Sequence, residues 1–227
     1  MATATIEYIQ TDQDQCVALH GLDWKGYSTI LRLRGERSTP KIVYLDGTVW
    51  LMSPAFPHER LKNRLGHFIA EVVVGLAIPC IMAGSTTLRR RAKRGGVEGD
   101  QTYYLANAKR IRGNDKISLK TDPPPDLAIE AVYRHEADAA VEVYRRFKVP
   151  EVWVCDESGL VILALQSNGR YVESATSANF PFLSSSEVFE WMSRPQGEFD
   201  NDWIKELRSW VRRTLKPRVR NQNKKNP

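Results

Sequence analysis

The chain has 227 residues, of which 42% are hydrophobic, and it carries a net charge of +6. This length suits one substantial core with terminal extensions. The sequence has no run of about 18 apolar residues and no basic-then-apolar N-terminus, so neither a membrane span nor a secretion signal is indicated and we expect a cytoplasmic protein. Cys16, Cys80 and Cys155 lie far apart in the sequence, which argues against a disulfide framework or a zinc knuckle.

The first elements predicted in chain order are a hairpin and a long helix. Residues 41–45 and 48–52 are β-rich runs, and the Asp46-Gly47 dipeptide between them favours a two-residue turn. Residues 58–78 place apolar side chains at helical spacing, which predicts a helix with one face against a sheet.

The central region alternates strand, helix and strand. A strand-like run at 78–88 is followed by a basic loop and by two acid-bearing strands, VEGDQTYYLA and PPPDLAIEAV. Residues 136–148 then read as a helix and 151–155 as a strand, and this order indicates an α/β fold with a mixed sheet.

The C-terminal third begins with a second hairpin. Its arms lie within residues 160–174 and turn at Asn168-Gly169. Apolar residues between 203 and 215 fall on one face of a further helix. Residues 217–227 are polar and basic, which predicts a disordered tail.

Three carboxylates lie in or beside the apolar strands. Alternation along a strand puts Asp126 and Glu130 on one face, and Asp100 belongs to the preceding acid-bearing strand. Ionised carboxylates are costly to bury without a cation, so this set suggests a divalent-metal site. Turn-closing or strand-capping roles for Asp100 and Asp126 stay open, because Asp often bonds its own backbone at such positions.

His58-Glu59 invites comparison with the HExxH zinc signature, but Lys62 stands where the second histidine is needed. Glu59 lies in the first turn of the predicted helix, where the helix dipole favours an acid. Capping therefore explains Glu59, although a fourth acid could reach the metal site if this helix leans over the sheet.

A cluster of positive residues precedes Asp100. Such clusters suit polyanions, because neutralised phosphates release counterions. A merely solvated charge run is an equally open interpretation. The cluster comprises Arg89, Arg90, Arg91, Lys93 and Arg94.

Four segments in order, TVWLMSPAFPHERLKNRLG, VEGDQTYYLAN, PPPDLAIEAV and VYRRFKVPEVWVCD, resemble the Uma2 family of restriction endonucleases, within the PD-(D/E)XK nuclease superfamily. The resemblance covers residues 40–192, which leaves 1–39 as an N-terminal extension, 193–216 as a C-terminal helix and 217–227 as the tail. It implies a restriction-endonuclease-like core, a mixed β-sheet flanked by helices.

The resemblance also implies roles for the acids. Asp100 would be the first active-site aspartate, and Glu130 the acid of the (D/E)XK element. Asp126 matches the aspartate of the family's PDL run, and Glu59 matches the glutamate on the preceding helix. All four are thus candidate catalytic residues, with Asp100, Glu130 and Asp126 as the candidate metal ligands.

The chain departs from this pattern at the motif lysine. The superfamily places that lysine two residues after the strand acid, and Val132 stands at this position in the present chain. The resemblance to many family members implies a lysine on the next helix instead, but Ala140 stands there. Neighbouring arginines are poor substitutes as a base, because arginine stays protonated.

Three hypotheses follow. In the first, the acids bind Mg²⁺ or Mn²⁺ and the chain hydrolyses DNA held by the basic cluster. In the second, the chain has lost catalysis with its lysine and only binds nucleic acid. In the third, the acids merely terminate strands in a structural or partner-binding domain. A homodimer is a further expectation, although no feature of the sequence determines the oligomeric state.

Overall fold

Two β-sheets and a set of helices form the part of the chain that the computed structural model describes, residues 14–132, 137–195 and 199–225. The predicted α/β class, with a mixed sheet flanked by helices, is confirmed. Within these residues no helix is both long enough and apolar enough to cross a membrane. The strands are β1 (Gln15–Leu19), β2 (Lys41–Leu45), β3 (Thr48–Ser53), β4 (Ile81–Met82), β5 (Thr87–Arg90), β6 (Gly95–Glu98), β7 (Gln101–Tyr104), β8 (Leu127–Ala131), β9 (Glu151–Cys155), β10 (Leu160–Leu165) and β11 (Tyr171–Ser174).

The helices flank these sheets. The first three are α1 (Trp24–Arg34), α2 (Phe56–Leu76) and α3 (Ala108–Ile111), and the next two are α4 (Ala137–Phe147) and α5 (Ser185–Ser193). At the C-terminus, α6 (Asp200–Trp210) continues through a π-helical turn (Val211–Leu215) into α7 (Lys216–Lys225). The start of the helix predicted at residue 136 lies outside the described residues.

The first sheet is antiparallel, with strand order β1-β3-β2-β6-β5. The predicted hairpin is confirmed as β2 and β3, and its turn residues Asp46 and Gly47 both have positive φ, as a tight hairpin turn requires. The second sheet has the order β11-β10-β9-β8-β7-β4, and only its β8–β9 pair is parallel. Helix α4 makes this parallel crossover, and the second predicted hairpin is confirmed as β10 and β11.

The strand expected at 78–88 is two short strands in different sheets. Strand β4 pairs with β7 in the second sheet, and β5 pairs with β6 in the first. Between them the chain passes through Gly84 at positive φ, which ends the first strand.

The main core lies between α2 and the second sheet. Leu65, Phe68 and Ile69 of α2 are fully buried against Ile129 of β8 and Trp153 of β9, which confirms the predicted apolar face. A second cluster is centred on α4, which packs against β2 and β6 of the first sheet and β9 of the second. Helix α4 therefore fills the angle between the two sheets.

The terminal segments belong to this body wherever they are described. Within the predicted extension 1–39, β1 pairs with β3, and Tyr27 of α1 is fully buried. Trp203 and Leu207 of α6 lie in the main core.

The segment predicted as a disordered tail is helical as far as Lys225. The guanidinium of Arg218 donates to both carboxylate oxygens of Glu187, at 2.8 Å each, and to Phe182 O. Val219 packs against the main core. These contacts with residues some 30 positions earlier hold a helix that local composition does not predict.

Candidate active site

The site lies where the chain leaves the first sheet and enters the second. Strands β6 and β7 are separated only by Gly99 and Asp100, so Asp100 stands at the junction. Its side chain is buried, and Oδ2 accepts a hydrogen bond of 2.8 Å from Ala131 N. A Cβ at position 99 would overlap the Tyr144 hydroxyl and crowd Glu130 Oε1, so the close approach of these groups requires glycine at this position.

Glu130 reaches the same place from β8. It is 5% exposed, and its Oε1 accepts a 2.5 Å hydrogen bond from the Tyr144 hydroxyl of α4. Burial and the charge of Glu130 hold the pKa of Tyr144 well above its usual value, so the phenol stays protonated and acts as a donor. Because α4 fills the angle between the sheets, it fixes Glu130 at the junction.

A buried lysine connects the two acids. The ammonium of Lys41, the first residue of β2, lies 2.6 Å from Asp100 Oδ1 and 3.5 Å from Glu130 Oε2. Strand β2 runs antiparallel to β6 with Tyr44 opposite Gly96, a register that carries Lys41 towards Asp100. Val132 and Ala140 stand where the family resemblance implies a lysine, and neither has an ammonium group. Lys41 therefore places an ammonium group beside the two carboxylates.

A histidine and a third acid support Asp100 from the opposite side. His58, in the first turns of α2, places Nε2 at 3.2 Å from Asp100 Oδ1 and Nδ1 at 2.8 Å from Asp14 Oδ2. The other oxygen of Asp14 accepts from Ala55 N at 2.7 Å, so this carboxylate also satisfies a backbone donor at the start of α2.

Burial and the neighbouring carboxylates act in opposite directions on the pKa values of His58 and Lys41. Burial lowers the pKa of His58, but its hydrogen bonds with Asp100 and Asp14 outweigh burial and raise it to about 9. Likewise, burial opposes the charged form of Lys41, yet Glu130 and Asp100 hold its pKa above the ordinary value. His58 and Lys41 are therefore both cations at neutral pH.

The two central carboxylates are pushed in opposite directions. Burial works against ionised Asp100, but the charge of Lys41 and the contacts with His58 hold its pKa below the usual range. Burial and the charge of Asp100 raise the pKa of Glu130 to about 7, even though Lys41 opposes this. The site thus holds one firmly ionised carboxylate and one that titrates near neutrality.

The structure brings together two of the four acids that the sequence indicated. Asp126 enters β8 four residues before Glu130, which corresponds to about 13 Å along a strand. Its oxygens accept from Leu105 N at 2.7 Å and from Asn107 N at 2.9 Å and Nδ2 at 2.6 Å. Asp126 therefore fastens the turn after β7, which is a structural role but not the bond to its own backbone that the sequence suggested as an alternative.

Glu59 is also directed elsewhere. Both of its oxygens lie 3.1 Å from Lys62 Nζ, and its side chain is 37% exposed. Consecutive residues of a helix point about 100° apart, so burial of His58 at the site turns Glu59 away from it. Among the described residues, no group of three or more His, Cys, Asp or Glu side chains could hold a metal ion.

The basic cluster divides in two. Arg89, Arg90 and Arg91 line a groove of about 1240 Å³ beside β5. Arg94 instead pairs with Asp46 at 3.0 Å. The carbonyl of Lys93 accepts from Arg146, and its side chain does not line the groove. The first three residues of the cluster thus share this groove, whereas Arg94 lines a smaller neighbouring pocket with Arg91.

Sequence reasoning missed Lys41, His58, Tyr144 and Asp14. Lys41 reads as an ordinary lysine at the start of a strand, and only its pairing with a strand more than 50 residues later places it at the acids. His58 was considered only as part of a failed zinc signature. One usable signal existed, because Lys41 opens an apolar strand run in which a buried lysine would need acidic partners.

The chain is similar to a known protein family and to a solved structure. The model of the Uma2 family, described as "Putative restriction endonuclease", matches residues 27–196. A solved structure of a putative nuclease belonging to DUF820, from Anabaena variabilis, is similar to this chain with a TM-score of 0.49 and 15% sequence identity, and the match covers 71% of this chain and 96% of that chain. No curated protein matches the sequence. The family match spans most of the chain and includes Lys41, Asp100 and Glu130.

Proposed function

Because the chain belongs to the Uma2 family, we propose that it is a metal-dependent endonuclease that hydrolyses phosphodiester bonds of DNA, with Asp100, Glu130 and Lys41 as its catalytic group. The observation that carries this proposal is the position of the Lys41 ammonium, 2.6 Å from Asp100 and 3.5 Å from Glu130. Two carboxylates and a lysine are the chemical groups of the PD-(D/E)XK motif, and here they come from β2, β8 and the junction between β6 and β7.

The two acids fit a magnesium or manganese ion. Mg²⁺ is commonly held by one or two carboxylates together with water and substrate phosphate, and it needs no third protein acid. A carboxylate has about four acceptor positions. Among the described residues Asp100 accepts from Lys41, His58 and Ala131 N, and Glu130 accepts from Lys41 and Tyr144, so each keeps at least one position for a metal ion. Asp100 and Glu130 are therefore the proposed ligands, and Asp126 is not among them. When bound, such an ion supplies Lewis-acid polarisation of the phosphate and lowers the pKa of a bound water.

The side chains around the acids have separate tasks. The Lys41 ammonium balances the negative charge that gathers on the phosphate oxygens as the bond to the attacking water forms. His58 and Asp14 position Asp100, and Tyr144 positions Glu130, through the hydrogen bonds described above. Because all these groups are buried except Asp14, which is partly buried, their directions are fixed before substrate binds.

Cleavage of supercoiled plasmid tests this proposal. Wild-type protein is incubated with Mg²⁺ or Mn²⁺ beside Asp100→Asn and Glu130→Gln proteins, which keep the shape of each side chain. Glu173→Gln, at an exposed position on β11, is the matched control for loss of one carboxylate. We expect wild type and the control to cut and both site variants to be inactive. Identical residual cutting by all four preparations would identify a contaminating nuclease, and no cutting by any preparation would refute the proposal.

A second candidate, a protein that binds nucleic acid without cutting it, is favoured by one observation. Lys41 already pairs with both carboxylates, and Asp14 reaches Asp100 only through His58, so among the described residues no set of three acids or histidines could hold a metal ion. Salt-sensitive DNA binding that persists without divalent ions, together with no cleavage, would identify this function.

A further inference from the structure

A wide groove runs beside the proposed active site. Its volume is about 1240 Å³. It is lined by residues of α1, of the edge strand β5 and of the segment 111–120.

The groove is strongly positive. Arg34 is the one lining cation with an ion-pair partner among the described residues, since it binds Glu98. Two acids, Glu36 and Asp115, also line the groove. Six cations from all three elements have no acidic partner in the described part of the chain: Arg32, Arg89, Arg90, Arg91, Lys116 and Lys120.

The same groove has an apolar component. Trp24, Leu31 and Ile117 line it, and each is only partly buried. Trp24 packs edge-on against Tyr27 and Tyr44, with ring centroids 5.2 and 5.8 Å away. Its indole is therefore held in one orientation while part of it faces the groove.

Hydrogen bonds connect the groove to the site. Arg34 and Thr87, which both line the groove, donate to the buried carboxylate of Glu98 at 2.6 and 2.7 Å. Glu98 also accepts from Ile42 N at 3.0 Å. Glu98 precedes Asp100 by two residues and Ile42 follows Lys41, so the hydrogen bonds of Glu98 link two groove-lining residues to the chain beside the catalytic group.

We propose that this groove binds an unpaired nucleic-acid strand, with phosphates against the arginines and lysines and bases against Trp24 and its apolar neighbours. This inference rests on the proposed function for the class of substrate. Single strands expose both phosphates and base faces, and proteins bind them with basic grooves that carry aromatic side chains. A duplex stacks its bases inside and offers only phosphates and groove edges, so it would leave Trp24 and Leu31 without a partner.

Fluorescence anisotropy with a labelled oligothymidylate of about 16 nucleotides tests the proposal. The measurement uses the full chain in EDTA, so that cleavage plays no part, and the competitor is a duplex of the same length. We expect the single strand to bind at least tenfold more tightly than the duplex. Equal or tighter binding of the duplex would overturn the proposal.

Charge reversal locates the binding surface. A triple variant, Arg32→Glu, Arg90→Glu and Lys116→Glu, changes one cation on each side of the groove. Arg212→Glu, Arg213→Glu and Lys216→Glu together are the control with the same charge change, because all three residues are exposed and none lines the groove. We expect the triple variant to bind at least tenfold more weakly and to lower the slope of log K against log salt by about 2, with less than a twofold change in the control. Equal weakening in both proteins would mean that binding depends on the net charge of the protein alone, and it would refute the proposal that the strand binds in the groove.

Trp24 separates strand binding from simple charge attraction. Trp24→Leu is expected to weaken single-strand binding about tenfold, and Trp24→Phe to restore most of it, because a phenyl ring still stacks. Wild-type affinity in Trp24→Leu would contradict the stacking role. If the protein cuts plasmid but does not prefer single strands, only the proposal of strand binding in the groove is refuted. If it binds single strands in the groove but never cuts, only the catalytic proposal is refuted.

Discussion

Replacing Lys41 with methionine removes a buried charge while keeping most of the side chain's volume. Lys41 is 7% exposed, and its ammonium compensates Asp100 at 2.6 Å and Glu130 at 3.5 Å. Removing one partner of a buried ion pair costs about 3–5 kcal/mol, because the remaining charge is left without compensation. Two features reduce this cost, since His58 still binds Asp100 and Glu130 can take up a proton. We therefore expect Lys41→Met to lower the free energy of unfolding by about 2–3 kcal/mol at pH 7.

The assay is urea unfolding of wild type and Lys41→Met, followed by tryptophan fluorescence, at pH 7.5 and pH 5.5. Lowering the pH protonates Glu130, whose pKa in wild type is already about 7, so the cost of the substitution should be smaller at pH 5.5. Lys41→Met combined with Glu130→Gln completes a double-mutant cycle, and the two changes should be less costly together than the sum of the single changes. Lys41→Arg is the control that keeps the charge but changes its shape.

A cost below about 0.5 kcal/mol at both pH values would refute this reasoning, because that is the range of an ordinary surface substitution. Strict additivity of the two changes would also contradict it. Either result would mean that the ammonium does not compensate the two carboxylates in solution.

Three further predictions concern groups around the acids. Gly99→Ala should destabilise the protein by about 1–3 kcal/mol in urea unfolding, because the new Cβ overlaps the Tyr144 hydroxyl; Tyr144→Phe in the same chain should recover part of this loss, and no recovery would contradict the contact. His58 has a folded-state pKa raised to about 9, so its stabilising contribution is complete below its unfolded pKa of about 6.5 and is lost as the pH rises through 9. The difference in unfolding free energy between wild type and His58→Asn should therefore shrink by at most about 3 kcal/mol between about pH 6.5 and pH 9. A difference that stays constant with pH would argue against a charged His58. Asp126→Ala should cost about 1–3 kcal/mol in thermal unfolding, because two backbone N–H groups lose their acceptor, and an unchanged melting temperature would count against this capping role.

The parts of the fold that the sequence predicted well depend on neighbours in the chain. Asp46-Gly47 and Asn168-Gly169 determine their turns locally, and the apolar stripe of α2 follows from helical spacing alone. The division of residues 78–88 between two sheets depends on pairing with β6 and β7, which local pattern does not encode.

The candidate site was only half accessible to sequence reasoning. Alternation along β8 predicts that Glu130 and Ile129 point to opposite faces, as they do. It does not predict that Asp126, four residues before Glu130, accepts hydrogen bonds from the turn after β7. Lys41 reaches the acids only because β2 pairs with β6, and Arg218 orders the C-terminal helix only through Glu187. Such contacts join residues 30 to 90 positions apart, and no local periodicity encodes them.

Plasmid cleavage by lysine variants tests the proposed catalytic role of Lys41 most directly. Ala140 lies one turn before Tyr144 on α4 and is buried in the same cluster, and it is the position at which the family resemblance implies a lysine. We predict that Lys41→Met slows divalent-metal-dependent cleavage at least about a hundredfold, and that Lys41→Met with Ala140→Lys recovers part of the rate. Wild-type cleavage by a folded Lys41→Met protein, while Asp100→Asn is inactive, would contradict the claim that Lys41 completes the catalytic group.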